Sequence, residues 1–125
     1  MDFTKEWRRI THGKQLPMGC IIVNKEFAKA HPELVRSFIN DYRDSVNFVN
    51  TFTEKAAGLI VKQKFIETEE LAKKAIPRSK IVWIDAMKAK EDITFYLTIL
   101  LESNPKSVGG ELPDDAFYYK IPKKE

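Results

Sequence analysis

The sequence predicts a mostly helical α+β domain carrying one or two short strands. Two observations lead there. Leu34, Val35, Phe38, Ile39, Tyr42, Ser45, Val46 and Val49 form one helical stripe, while Arg36, Asn40, Asp41, Arg43, Asp44 and Asn47 fall opposite. Against this, the run Cys20-Ile21-Ile22-Val23 is short, apolar and β-branched, the pattern of a strand buried on both faces. At 125 residues the chain fits one domain with one modest core.

Taken in order, Phe3, Trp7 and Ile10 have helical spacing, and Gly13 follows where a helix over residues 3–12 would end. Leu16-Pro17-Met18-Gly19 reads as a turn into the Cys20–Val23 strand. Asn24 is placed to cap a short helix carrying Phe27 and Ala28. His31-Pro32-Glu33 opens the long helix, with proline in the first turn, where its missing N–H costs nothing, and an acid beside the positive helix end.

Thr51-Phe52-Thr53-Glu54 has capping-box spacing ahead of Ala56, Ala57, Leu59, Ile60 and Val61. Thr68 is expected to cap a segment with Leu71, Ala72, Ala75 and Ile76 on one side, ended by Pro77. Ile81-Val82-Trp83-Ile84 is ambiguous between strand and extended connection. Asp85 caps the last long helix, whose stripe is Ala86, Ala89, Ile93, Tyr96, Leu97, Leu100 and Leu101. Phe95 and Ile99 form a second small apolar face, which implies a second layer of contact. Gly109-Gly110-Glu111-Leu112-Pro113-Asp114-Asp115 reads as turns. A buried strand needs hydrogen-bonding neighbours on both edges, so the single clear strand makes the sheet look incomplete.

Composition narrows the function classes. The 21 Lys and Arg against 18 Asp and Glu give a formal charge of +3, with the signs interleaved as in Lys62, Lys64, Glu67, Glu69, Glu70, Lys73 and Lys74. That is a solvated surface, whereas a nucleic-acid footprint gathers positive charge in one stripe. Nothing reaches the roughly 18 apolar residues of a membrane span, and residues 1–9 lack a signal-peptide core, so a cytoplasmic chain without membrane insertion is expected.

Candidate chemistry is sparse. His12, His31 and Cys20 lie on different elements without metal-ligand spacing, and a lone cysteine makes no internal disulfide. Glu69-Glu70 and Asp114-Asp115 read as exposed acids. Gly109-Gly110 lacks the preceding strand and following helix of a phosphate cradle. Trp7 and Trp83 sit in apolar patterns that favour packing over ligand stacking. No catalytic residue, metal or cofactor is expected, and the chain reads as a non-enzyme.

Several stretches together resemble one family in its own order: Glu6-Trp7; Leu16 to Val23; His31-Pro32-Glu33 followed by Phe38, Tyr42 and Ser45; Ala75-Ile76-Pro77; and Gly109 to Asp115 with Phe117-Tyr118-Tyr119. The chain resembles the C-terminal portion of solute-binding proteins of bacterial ABC importers, of the type handling nitrate, sulfonates, taurine and thiamine-pyrimidine precursors. The resemblance implies a fragment of a type II periplasmic-binding-protein-like α/β fold over residues 1–125. It implies a solute held between two lobes, an ABC permease as partner, and an extracytoplasmic or periplasmic place for full-length relatives.

By the same resemblance Pro17–Val23 is a strand returning between lobes, which places Met18, Gly19 and Cys20 at the ligand. Two such lobes would exceed this chain about twofold, so the fragment is expected not to bind solute fully by itself. Pairing of Ile21–Val23 between two copies, which would also cover Phe95 and Ile99, predicts a homodimer. The competing reading is a stand-alone helical interaction domain.

Overall fold

The structure, a computed structural model, describes residues 2–122. Six α-helices follow one another: α1 (Phe3–Ile10), α2 (Lys25–Ala30), α3 (Pro32–Thr51), α4 (Thr53–Lys62), α5 (Glu69–Ser79) and α6 (Ala86–Ser103), then 3₁₀ turns at Pro105–Val108 and Asp115–Phe117. No strand occurs among the described residues. The expected α+β fold, and with it the fragment of a type II periplasmic-binding-protein-like α/β fold, is therefore corrected to an all-helical fold among the described residues. Cys20–Val23 and Ile81–Ile84 are extended, but neither forms a backbone ladder with a neighbouring segment among the described residues, and an extended segment without such a ladder is not a strand. The β-branched pattern recorded extension; pairing had to come from elsewhere.

The chain folds as two compact units, one built from residues 1–22 and 84–125, the other from residues 23–83. In the second unit, α4 packs on α5 through small side chains. Ala56, Ala57, Ala72 and Ile76 form its buried centre, with Phe48, Val49, Ile60, Val61 and Ile66 packed around it. Alanine at the contact lets the two backbones approach closely, so a four-residue centre suffices to join the pair. The α3 helix adds the buried Val35 and Val46, and its Asn50 side-chain amide donates to the Val46 and Ile81 carbonyls, each at 3.0 Å, which ties the extended 81–83 segment to this unit.

In the first unit, α6 is the organising element. Trp7 of α1 stands edge-on to Phe95 (6.1 Å between ring centroids) and Tyr96 (5.7 Å), and its indole N–H donates to the Gln15 carbonyl at 3.0 Å. The second apolar face that the sequence assigns to Phe95 thus finds its neighbour within the same unit. On another side of α6, Tyr118 is buried and shares a 2.9 Å hydrogen bond with the Thr94 hydroxyl, and Lys90 lies over its ring while pairing with Asp115.

Helix starts follow the expected caps. Asn24 accepts from Glu26 and Phe27, Thr68 from Leu71 and Asp85 from Met87, while Asp2 caps α1. Two punctuation readings change. The Thr51–Glu54 capping box does not form, because α3 runs through Thr51 and Phe52 occupies the cap position; the nearby Thr53 hydroxyl instead donates to the Val49 carbonyl at 3.3 Å. Pro77 sits inside α5, which continues to Ser79 before Lys80 turns left-handed (φ 52°). In the last turn a proline forfeits one backbone hydrogen bond without breaking the helix behind it.

Candidate functional site

A core of this kind leaves much apolar surface uncovered. Val35, Val46, Ala56, Ala57, Ala72, Ile76 and Tyr118 are the buried hydrophobics among the described residues, and no large side chain is fully enclosed.

The uncovered residues are not scattered. On α3, Leu34 (60% exposed) and Phe38 (52% exposed) occupy one helical row with Tyr42, four residues apart each time. Phe38 stacks on Tyr42 with ring centroids 6.1 Å apart, and Trp83 meets Tyr42 edge-on at 5.8 Å, so an aromatic ladder continues from the helix onto the extended segment. The stripe that the sequence reads as a core face is covered only along the edge holding Val35 and Val46. Trp83 is packed, as its apolar context suggests, but half-buried against an open row.

The two extended segments, each by itself, are a second kind of exposed surface. Met18 and Ile22 are each 80% exposed and Val82 64%, beside Ile21, Val23, Ile81 and Ile84. Met18, Gly19 and Cys20, the residues placed at a ligand by resemblance, lie in the first of these segments; Cys20 is an exposed free thiol, and a side chain built at Gly19 would meet nothing within 4 Å. The third group lies at the α4–α5 turn, where Val61, Lys64, Phe65, Ile66, Glu67 and Leu71 line an open hollow.

Comparison of the chain with protein-family models, curated proteins and solved structures finds no match.

Polar chemistry stays at the surface. None of the buried residues is polar or charged, and no group of three or more His, Cys, Asp or Glu is placed to hold a metal ion among the described residues. The perturbed groups are ion pairs in the first unit. The Lys14 hydrogen bond, then its charge, holds the Glu91 carboxyl below its usual range, and Lys90 acts in the same order on Asp115. The Glu91 hydrogen bond in turn raises Lys14, whose ammonium also lies 5.3 Å from the Phe95 ring centre. These contacts pin the 14–15 segment and the 115–118 turn to α6. No described helix is long and apolar enough to cross a membrane.

Sequence reasoning missed the Phe65 hollow and the α3 ladder as surfaces. Periodicity identifies an apolar face, but whether that face is covered depends on the neighbour. A signal for the hollow was present, since Lys64-Phe65-Ile66 places two large apolar residues directly after a helix end.

Proposed function

We propose that this chain is part of the solute-binding component of a bacterial ABC importer, acting by binding without catalysis, and that further polypeptide completes its ligand site. One observation carries the reading. The chain passes between its two units at residues 22–23 and 83–84, and both passages run through extended, exposed, apolar segments, Cys20–Val23 and Ile81–Ile84, that lack strand partners. Unpaired extended segments of this kind are templates for another chain's backbone. The ordered series of resembling residues supplies the solute classes.

The test is calorimetry with nitrate, taurine, an alkyl sulfonate and an aminopyrimidine, on the chain alone and with the polypeptide encoded beside its permease and ATPase genes. Saturable binding only in the mixture is expected. Gly19→Val should abolish that binding while leaving the fold of this chain intact, because the added side chain enters open space. If no such genes adjoin and no solute binds, the reading fails. A stand-alone helical interaction domain then takes its place, a reading favoured by the uncovered Leu34–Phe38–Tyr42 row.

A further inference from the structure

We propose that residues 3–15 form a latched strap on α6, which opens as one piece while the rest of the first unit stays folded and so uncovers the Phe95–Tyr96 face. The strap is held by side-chain tips alone. No residue of α1 is buried, Phe3 and Ile10 are 70% and 60% exposed, and the α1 backbone nowhere comes within 8 Å of α6, Cα to Cα. What reaches α6 is the Trp7 ring, set against Phe95 and Tyr96, and the Lys14 ammonium, which pairs with Glu91 and lies over Phe95. The Trp7 indole N–H and the Arg8 guanidinium both donate to Gln15, which makes α1 and the 14–15 segment one body.

An eight-residue helix is well below the length that holds itself together in water, so α1 cannot leave α6 and stay helical; release and melting are one event. Nothing regular braces the joint behind it. Residues 14–23 make no backbone-to-backbone hydrogen bond among the described residues, and 18–23 are exposed, so an opening at α1 need not travel further along the chain. Helix α6 meanwhile keeps its support on another side, from the Tyr118–Thr94 hydrogen bond and the Lys90–Asp115 pair. At the latch itself, 85% of the Glu91 side chain is in solvent, so dissolved ions screen the pair. Ionic strength therefore sets how often the strap opens.

Hydrogen exchange of the full chain is the test, read amide by amide under conditions where reclosing outruns exchange. The reporters are Thr11 and Gly13, whose amides donate to the Trp7 and Arg8 carbonyls; the reference is the middle of α6. Thr11 and Gly13 should exchange together, faster than α6 and with a shallower dependence on urea, because strap opening exposes less surface than unfolding the unit. Glu91→Gln, or about 0.5 M salt on the wild type, should speed both reporters by about two- to fivefold, the range of an exposed ion pair, and salt should add little to the variant. Tyr118→Phe separates the strap from the unit. It weakens α6 in the latched and the open state alike, so it should speed exchange in α6 and leave Thr11 and Gly13 unchanged. Trp7→Ala should raise the fluorescence of an apolar dye while the amides of α6 stay protected. Equal responses of strap and α6 to Tyr118→Phe, indifference of Thr11 and Gly13 to Glu91→Gln and salt, or no gain of dye binding would overturn the proposal.

Discussion

Replacing Gly58 by alanine should stabilise the second unit. Gly58 lies mid-way along α4 with Ala56 and Ala57 in the buried centre just before it, and its backbone is not in the left-handed region where a side chain would be strained. A helix interior favours alanine over glycine by about 0.8–1 kcal/mol, because glycine loses more backbone freedom on folding. The opposing effect is steric. A Cβ at position 58 would come to 3.4 Å from Glu69 Oε1 and 3.9 Å from its Cδ, ordinary contact with the far end of a flexible and exposed side chain. Glu69 can swing away at a cost of a few tenths of a kcal/mol, which leaves a gain of about 0.5–0.8 kcal/mol. Urea unfolding followed by helical ellipticity measures it, and for a body of this size the melting temperature should rise by roughly 2–6 °C. A Gly58→Ala/Glu69→Ala double-mutant cycle should show little coupling. Should Gly58→Ala destabilise the chain, α4 and α5 must approach more closely than the structure places them, and the small-residue account of their packing would be wrong.

The same packing makes Ala57→Leu destabilising by about 1–3 kcal/mol, since Ala57 and Ala72 are fully enclosed and the extra carbons must push the helices apart; a urea midpoint that does not move would contradict it. Tyr118→Phe removes the partner of the Thr94 hydroxyl and should cost about 1 kcal/mol, read from the same unfolding curve. Acid should loosen the first unit. Glu91 and Asp115 titrate below their ordinary values in the folded chain, so their contribution is complete above the usual carboxylate range and disappears as pH falls through the depressed folded values. Lys14 runs the other way. Its raised value means that its contribution is complete below the ordinary lysine range and is lost only as alkali carries pH through the higher folded value. Amide protection around 14–15 should therefore fall at both extremes and that around 115–118 in acid, and Glu91→Gln should remove both the acid and the alkaline response at 14–15.

Local chemistry was readable from the residues themselves. Asn24, Thr68 and Asp85 cap their helices, Pro32 opens α3, and Gly13, Gly109 and Gly110 adopt the positive φ values that end elements and turn the chain. Each of these outcomes depends on a few neighbouring atoms, so short-range sequence is enough. The Thr51–Glu54 box shows the limit of that rule, for two adjoining helices compete for the same four residues and α3 prevails through Thr51.

Of the surfaces, only part of the pattern was legible. Phe38 and Val46 belong to one apolar stripe in the sequence, yet one is half exposed and the other buried. The second layer that Phe95 calls for could lie in this chain or in another, and Phe95 finds Trp7, eighty-eight residues earlier in the same chain.

What the sequence determined by itself was therefore the set of helices, their caps and turns, and the extended character of Cys20–Val23 and Ile81–Ile84. Tertiary structure decided that these extended segments are not strands, that α4 and α5 meet through Ala57 and Ala72, and that Phe65 stays exposed where it lines an open hollow. The physical reason is the range of the forces involved: dihedral preference and capping act within a few residues, whereas strand pairing and burial require a second surface whose position no local pattern specifies.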